Sequence, residues 1–92
     1  MNMSMAYKKV EKIVKGIANH WRIRILELLN KSSDLSVDQI TENLNANFAT
    51  ISVHLQKMVG AGLVVKKYRG RFVLHSLTSR GKNILTFCRM LK

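Results

Sequence analysis

Residues 36–62, SVDQITENLNANFATISVHLQKMVGAG, decide how the rest of the chain is read. Val37, Ile40 and Leu44 recur at steps of three and four, so they share one side of a helix. Ser36 precedes them and Gln39 follows three residues later, a spacing that lets each side chain satisfy a backbone donor of the first turn. The helix is expected to begin at Ser36 and stop near Leu44. Asn45, Ala46 and Asn47 are too few for a loop of their own, and Asn accepts both turn and N-cap geometry. A second helix is expected from Asn47, with Ile51, Leu55 and Met58 facing inward and Ala49, Thr50, Ser52, Val53, Gln56 and Lys57 around the rest of the cylinder. That outer side is small, polar and almost uncharged. A solvent-facing helix more commonly carries Lys and Glu; one that offers Thr, Ser and Gln can approach another surface closely and hydrogen-bond to base edges in a major groove.

Working outward, Gly60 and Gly62 close the second helix, with Gly62 suited to a left-handed C-terminal cap. Two strand-like runs follow, Leu63 to Tyr68 and Phe72 to Leu77, joined through Arg69, Gly70 and Arg71. A Gly in so short a connection signals a hairpin. Lys66, Lys67, Arg69 and Arg71 make its tip cationic, able to grip phosphates or enter a minor groove. Thr78 is a good N-cap for a last helix from about Ser79 to Leu91, whose Ile84, Leu85, Phe87, Cys88 and Leu91 cover more circumference than one core contact needs. A second copy of the chain is the economical partner for that surface; the alternative is that the terminal helices pack only on their own core.

On the N-terminal side, residues 1–5 are expected as a loose leader. Tyr7, Val10, Ile13, Val14 and Ile17 then form an apolar stripe among Lys8, Lys9, Glu11, Lys12 and Lys15, giving a first helix that ends near Gly16 to Ala18. Asn19 caps a second helix from His20 to Asn30, apolar on so wide a front that it is expected at the centre of the core. Lys31 to Asp34 form a polar link. The order is that of a winged helix-turn-helix, mainly α with a two-stranded wing: one domain over 1–92, with the helix-turn-helix at 36–62, the wing at 63–77 and the C-terminal helix at 78–91.

Charge supports the same picture. The chain of 92 residues carries a net +11. Residues 1–30 hold six basic and two acidic side chains, residues 31–62 two and three, and residues 63–92 eight and none. A wholly basic last third suits a polyanion. Its density at a hairpin tip, rather than along one face of an amphipathic helix, favours nucleic acid over a membrane surface. No run approaches the roughly 18 apolar residues of a membrane span, and the start has no apolar segment for a signal peptide, so the expected location is the cytoplasm. The lone Cys88 excludes an internal disulfide and argues against a cysteine-based zinc site.

The residues now resemble the ArsR-type family of winged-helix transcription regulators over about Ile17 to Gly81, with some likeness to MarR-type regulators at the C-terminal end. ANHWRIRILELL looks like the family's second helix. Thr50 to Leu55 match its T-[IV]-S-x-H-L core, Ala61 to Val64 its closing A-G-L-V, KKYRGRFVLHSLT its wing, and Thr78 to Gly81 the T-x-x-G that ends such hairpins. The resemblance implies a homodimer on an operator with two-fold symmetry, usually repressing transcription. It places recognition contacts on Ala49, Thr50, Ser52, Val53 and Gln56; from the reading of the residues, Lys57 and the wing's Lys67, Arg69 and Arg71 are expected to bind DNA as well, the wing through phosphate. The sequence departs where members often have His at the position of Val53 and Pro near His20. Metal-responsive members carry Cys in the helix before the recognition helix, or Asp, His and Glu along the last one. Here residues 36–44 have no Cys or His, and residues 79–92 have Cys88 but no His or acid. No metal, cofactor or catalytic role is expected.

Among single residues, His54 is expected to pack or touch phosphate rather than ligate, Cys88 to be a buried small apolar group, and Trp21 and Phe48 to anchor helices. Arg22 and Arg24 are either solvated or directed at phosphate. Two other functions stay open at this stage: a winged helix used for protein interaction with an acidic partner, and a non-specific architectural DNA protein.

Overall fold

A computed structural model describes residues 2–92. The elements in chain order are α1 (Met3–Lys15), α2 (His20–Lys31), α3 (Val37–Leu44), α4 (Phe48–Gly60), β1 (Val64–Arg69), β2 (Phe72–Leu77) and α5 (Ser79–Met90). α2 is central, packing against α3, α4, α5 and β2. Its Ile25, Leu26 and Leu29 meet Ile40 from α3, Ile51, Leu55 and Met58 from α4, and Leu85 from α5. Burying each such side chain is worth about 1.5–3 kcal/mol, so the three inward residues of α4 fix which side of that helix is left for solvent.

The helix-turn-helix forms as its residues dictate. The hydroxyl of Ser36 accepts from the Gln39 amide (3.2 Å) while the Gln39 side chain accepts from the Ser36 amide (2.9 Å). Asn45 stops α3 in the left-handed region, φ 49°. The Asn47 side chain then accepts from the amides of Ala49 (2.9 Å) and Thr50 (3.3 Å), starting α4. Gly62 takes φ 75°, and the Leu63 amide reaches back to the Met58 carbonyl (2.9 Å). With its amide spent on closing α4, Leu63 meets the second strand only through its carbonyl, which accepts from the Thr78 amide (3.1 Å), and β1 begins at Val64 rather than at the expected Leu63 and runs on to Arg69.

β1 and β2 pair antiparallel from Val64↔Leu77 to Arg69↔Phe72 across a two-residue Gly70–Arg71 turn. A third strand-like contact escaped the sequence: Leu35 bridges His75, so the polar link ends in a short addition to the sheet. At the foot of the wing the Thr78 hydroxyl donates to the Gly62 carbonyl (2.6 Å) and accepts from the Gly81 amide (3.0 Å), capping α5. A Cβ on Gly81 would overlap the Leu63 carbonyl oxygen, which is the physical content of the T-x-x-G spacing.

The N-terminus differs from expectation. Asn2 is an N-cap whose side chain accepts from the Met5 amide (2.8 Å), and α1 is helical from Met3. Of the expected leader, only Met1 lies outside the described residues. α2 runs one residue further than expected, to Lys31, and α5 stops at Met90 with Leu91 as its cap. The described residues form a winged helix-turn-helix, five helices and a two-stranded sheet.

Candidate nucleic-acid interface

The outer side of α4 is open. Ala49, Val53, Gln56, Lys57 and Gly60 are exposed at spacings of three and four and form one stripe, with Thr50 and Ser52 half-buried along its edges. Lys57 supplies the stripe's only formal charge. Phe48, expected to anchor the helix, does not: in the first turn of α4 it lies beyond the core cluster and is 52% exposed. Trp21 packs against the core as expected.

α4 is also tied to its neighbours by a contact the sequence did not reveal. Arg22 Nε donates to His54 Nδ1 (3.0 Å), and Arg22 Nη1 donates to the Lys15 carbonyl (2.6 Å), joining α2, α4 and the end of α1 through one guanidinium. Because a guanidinium only donates, His54 Nδ1 is the unprotonated nitrogen. Burial, then the positive charges of Arg22, Lys57 and His20, push the His54 pKa below its ordinary value. Arg22 is therefore a brace, while Arg24 is exposed with its guanidinium 4.9 Å from the centre of the Trp21 ring. Beside the brace, Lys12 and Lys15 of α1 share a hollow with Lys57 and Arg22, with Glu11 the one acid on its wall. This second cationic group was not singled out in the sequence because its members are up to 45 residues apart.

The wing carries the other. Arg69 and Arg71 are exposed at its tip, and Arg71 lies 6.0 Å from the centre of the Phe72 ring. Lys67 behaves differently: its Nζ is 3.4 Å from Asp34 Oδ1, a half-exposed pair of small energetic worth that turns it toward the body of the protein. Asp34 also accepts from the Ser76 hydroxyl (2.6 Å), and this bond, with Lys67, holds its pKa below the usual carboxylate value. His75 is buried beneath Leu35, whose carbonyl accepts from the His75 amide (2.8 Å) and lies 2.9 Å from His75 Nδ1. Burial lowers the His75 pKa, opposed by the Leu35 contact. These bonds seat the wing on the rest of the fold.

Two further surfaces are exposed and apolar. α1 has no fully buried residue, and Tyr7, Val10 and Val14 are each more than half exposed. On α5, Leu85 and Cys88 are buried, as expected for Cys88, while Phe87 and Leu91 are 51% and 70% exposed. Among the described residues no three His, Cys, Asp or Glu side chains converge as a metal site would require, and no helix is long and apolar enough to cross a membrane.

No curated protein matches the chain significantly. Solved structures do. The homodimeric winged helix-turn-helix DNA-binding domain of Mb0332 from Mycobacterium bovis, a possible ArsR-family regulator, superposes with a TM-score of 0.85 at 22% identity, over 96% of this chain and 82% of that one. HlyU from Vibrio cholerae gives 0.78 at 26% identity, over 99% and 97%. The transcriptional repressor PagR of Bacillus anthracis gives 0.81 at 26%, over 92% and 98%. The family model described as bacterial regulatory protein, arsR family, matches residues 19–66, from the cap of α2 through α4 into β1. With more than half of its length matched there, the chain belongs to the ArsR family of bacterial regulatory proteins, and its fold is that of a DNA-binding transcriptional regulator.

Proposed function

We propose that the chain is a sequence-specific DNA-binding regulator that acts as a cytoplasmic homodimer and represses transcription from an operator with two-fold symmetry. The observation that carries this reading is the open, nearly neutral stripe of α4, with Lys12 and Lys15 gathered beside its Lys57 and a second exposed cationic group, Arg69 and Arg71, at the tip of the wing. Thr50, Ser52 and Gln56 supply hydrogen bonds to base edges, and Ala49 and Val53 offer small apolar contacts suited to thymine methyl groups. Lys57, Arg69 and Arg71 bind phosphate, with Lys67 joining when it leaves Asp34, and these contacts supply the salt-dependent part of the affinity. Residues 1–92 act as one such domain, with no catalytic role and no cofactor.

Dimerisation through α1 and α5 would bury the exposed Tyr7, Val10, Val14, Phe87 and Leu91. The Mycobacterium bovis domain, described as homodimeric, and PagR, described as a repressor, support the assembly and the direction of regulation. The assignment of base reading to α4 is tested by Gln56→Ala, expected to cost about 1 to 3 kcal/mol on one preferred sequence and little on random duplex. Equal weakening on all DNA would remove Gln56 from the base-reading set.

A further inference from the structure

A groove of about 830 Å³ runs between α2 and the end of α5, away from the α4 stripe and the wing. Its apolar lining comes from Ile23, Leu28 and Leu44. Leu28 and Leu44 also pack on the core, whereas Ile23 is half-buried without belonging to that cluster, so the groove itself is its apolar surrounding. The rim is cationic: Arg24, Lys31, Arg89 and Lys92 stand against a single acid, Glu27. That acid is already engaged, receiving Arg89 Nε (3.1 Å) and Nη2 (2.7 Å) and Lys92 Nζ (3.5 Å). Arg24 and Lys31 make no ion pair among the described residues.

We propose that this groove binds an amphipathic anion, a carboxylate or sulfonate on an apolar body, with the body over Ile23 and Leu28 and the anionic head at Lys31, the Arg24 charge lying about two turns back along α2. The volume lies within the range of small-molecule sites, and an apolar floor under an unneutralised positive rim is complementary to that class. A second copy of the chain is the other apolar occupant available, and its exposed apolar helices are α1 and α5. α1 carries Lys8, Lys9, Lys12 and Lys15 against Glu11 alone, and α5 carries Arg80, Lys82 and Arg89 with no acid, so either meets the rim with like charge. DNA would satisfy the rim but leave the apolar floor uncovered.

The groove also touches the DNA-binding apparatus. Leu44 is the last residue of α3, directly before the left-handed Asn45 that turns the chain into α4. A ligand that binds the DNA-free and DNA-bound forms unequally shifts DNA affinity by the same factor. This coupling rests on the proposed function; binding itself does not, and is measured without DNA.

The chain's single tryptophan is the reporter, since Trp21 lies 5.0 Å, ring to ring, from His20, which lines the groove, and stacks with Arg24. Dodecanoate is titrated into the protein and followed by Trp21 emission and by calorimetry, with undecyltrimethylammonium as the same alkyl tail bearing the opposite charge. The expected result is saturation by dodecanoate at one per chain and at least about tenfold weaker binding of the cation, with Ile23→Gln and Lys31→Gln each weakening dodecanoate about tenfold, or 1.4 kcal/mol. Lys31→Gln, at the exposed end of α2, keeps the test valid if Ile23→Gln disturbs folding. Equal affinity for the two amphiphiles, affinity unchanged by both substitutions, or no saturable binding would overturn the proposal.

Discussion

Two exposed surfaces of this protein differ in what they offer a partner. On α4 and the wing, hydroxyls, an amide and cations are exposed together with small apolar groups and the separate rings of Phe48, Tyr68 and Phe72; on α1 and α5 the exposed apolar groups are Tyr7, Val10, Val14, Phe87 and Leu91. The first surface suits a hydrated polyanion, whose phosphates are bound through water-accessible charge. The second gains only by removal from water, and so suits another protein face, most simply its own copy. Exposure alone does not identify an interface; the chemistry exposed sorts the partners.

Breaking the apolar surface is expected to have the largest effect. Val10→Glu with Phe87→Glu should leave a folded monomer by circular dichroism and sedimentation, and should weaken binding to a two-half-site operator by about 10² to 10⁴ fold, the gain that linking two sites confers. A dimer that persists would place the apolar faces outside the interface. Next in size, removing charge from the tip by Arg69→Gln and Arg71→Gln should weaken all duplexes alike and reduce the slope of log affinity against log salt by about 2. An unchanged slope would mean that the wing does not touch phosphate.

The braces behind the polar surface should respond to pH more gently. Burial depresses the pKa of His54 and of His75 below the ordinary 6.5. A depressed group binds its proton more readily in the unfolded chain, so its stabilisation is fully present above pH 6.5 and is lost as pH falls from there toward the folded-state pKa. Denaturant unfolding between pH 7.5 and pH 5 should therefore show declining stability before Glu27 and Asp34, both held below their ordinary 4.5 and 3.8, begin to titrate. His54→Gln should flatten part of that decline; an unchanged profile would break the link to the Arg22 brace. The smallest effect is expected at Thr41, whose buried hydroxyl has no hydrogen-bond partner among the described residues. Thr41→Val should raise stability by up to about 1 kcal/mol by calorimetry, and any loss would show that the hydroxyl is satisfied in solution.

The same contrast governs what was legible in the sequence. Periodicity and caps give the elements, because Ser36, Gln39, Asn47 and Thr78 act within a turn of their own position. The stripe of α4 follows from the same local rule, since Ile51, Leu55 and Met58 leave only one side free. What escaped is long-range: Arg22 meets His54 across 32 residues, Lys67 meets Asp34 across 33, and Leu35 bridges His75 across 40. Nothing in local spacing distinguishes Arg22 as a brace from Arg24 as an exposed cation. Phe48 shows the converse limit, because a large apolar residue in a first turn is buried only if the core extends that far.

The central claim is that α4 distinguishes one DNA sequence from another while the cations beside Lys57 and at the wing tip hold the backbone. Selecting bound duplexes from a random pool tests it most directly. The account predicts enrichment of a sequence with two-fold symmetry; bound DNA with no enriched sequence, or no bound DNA, would contradict it.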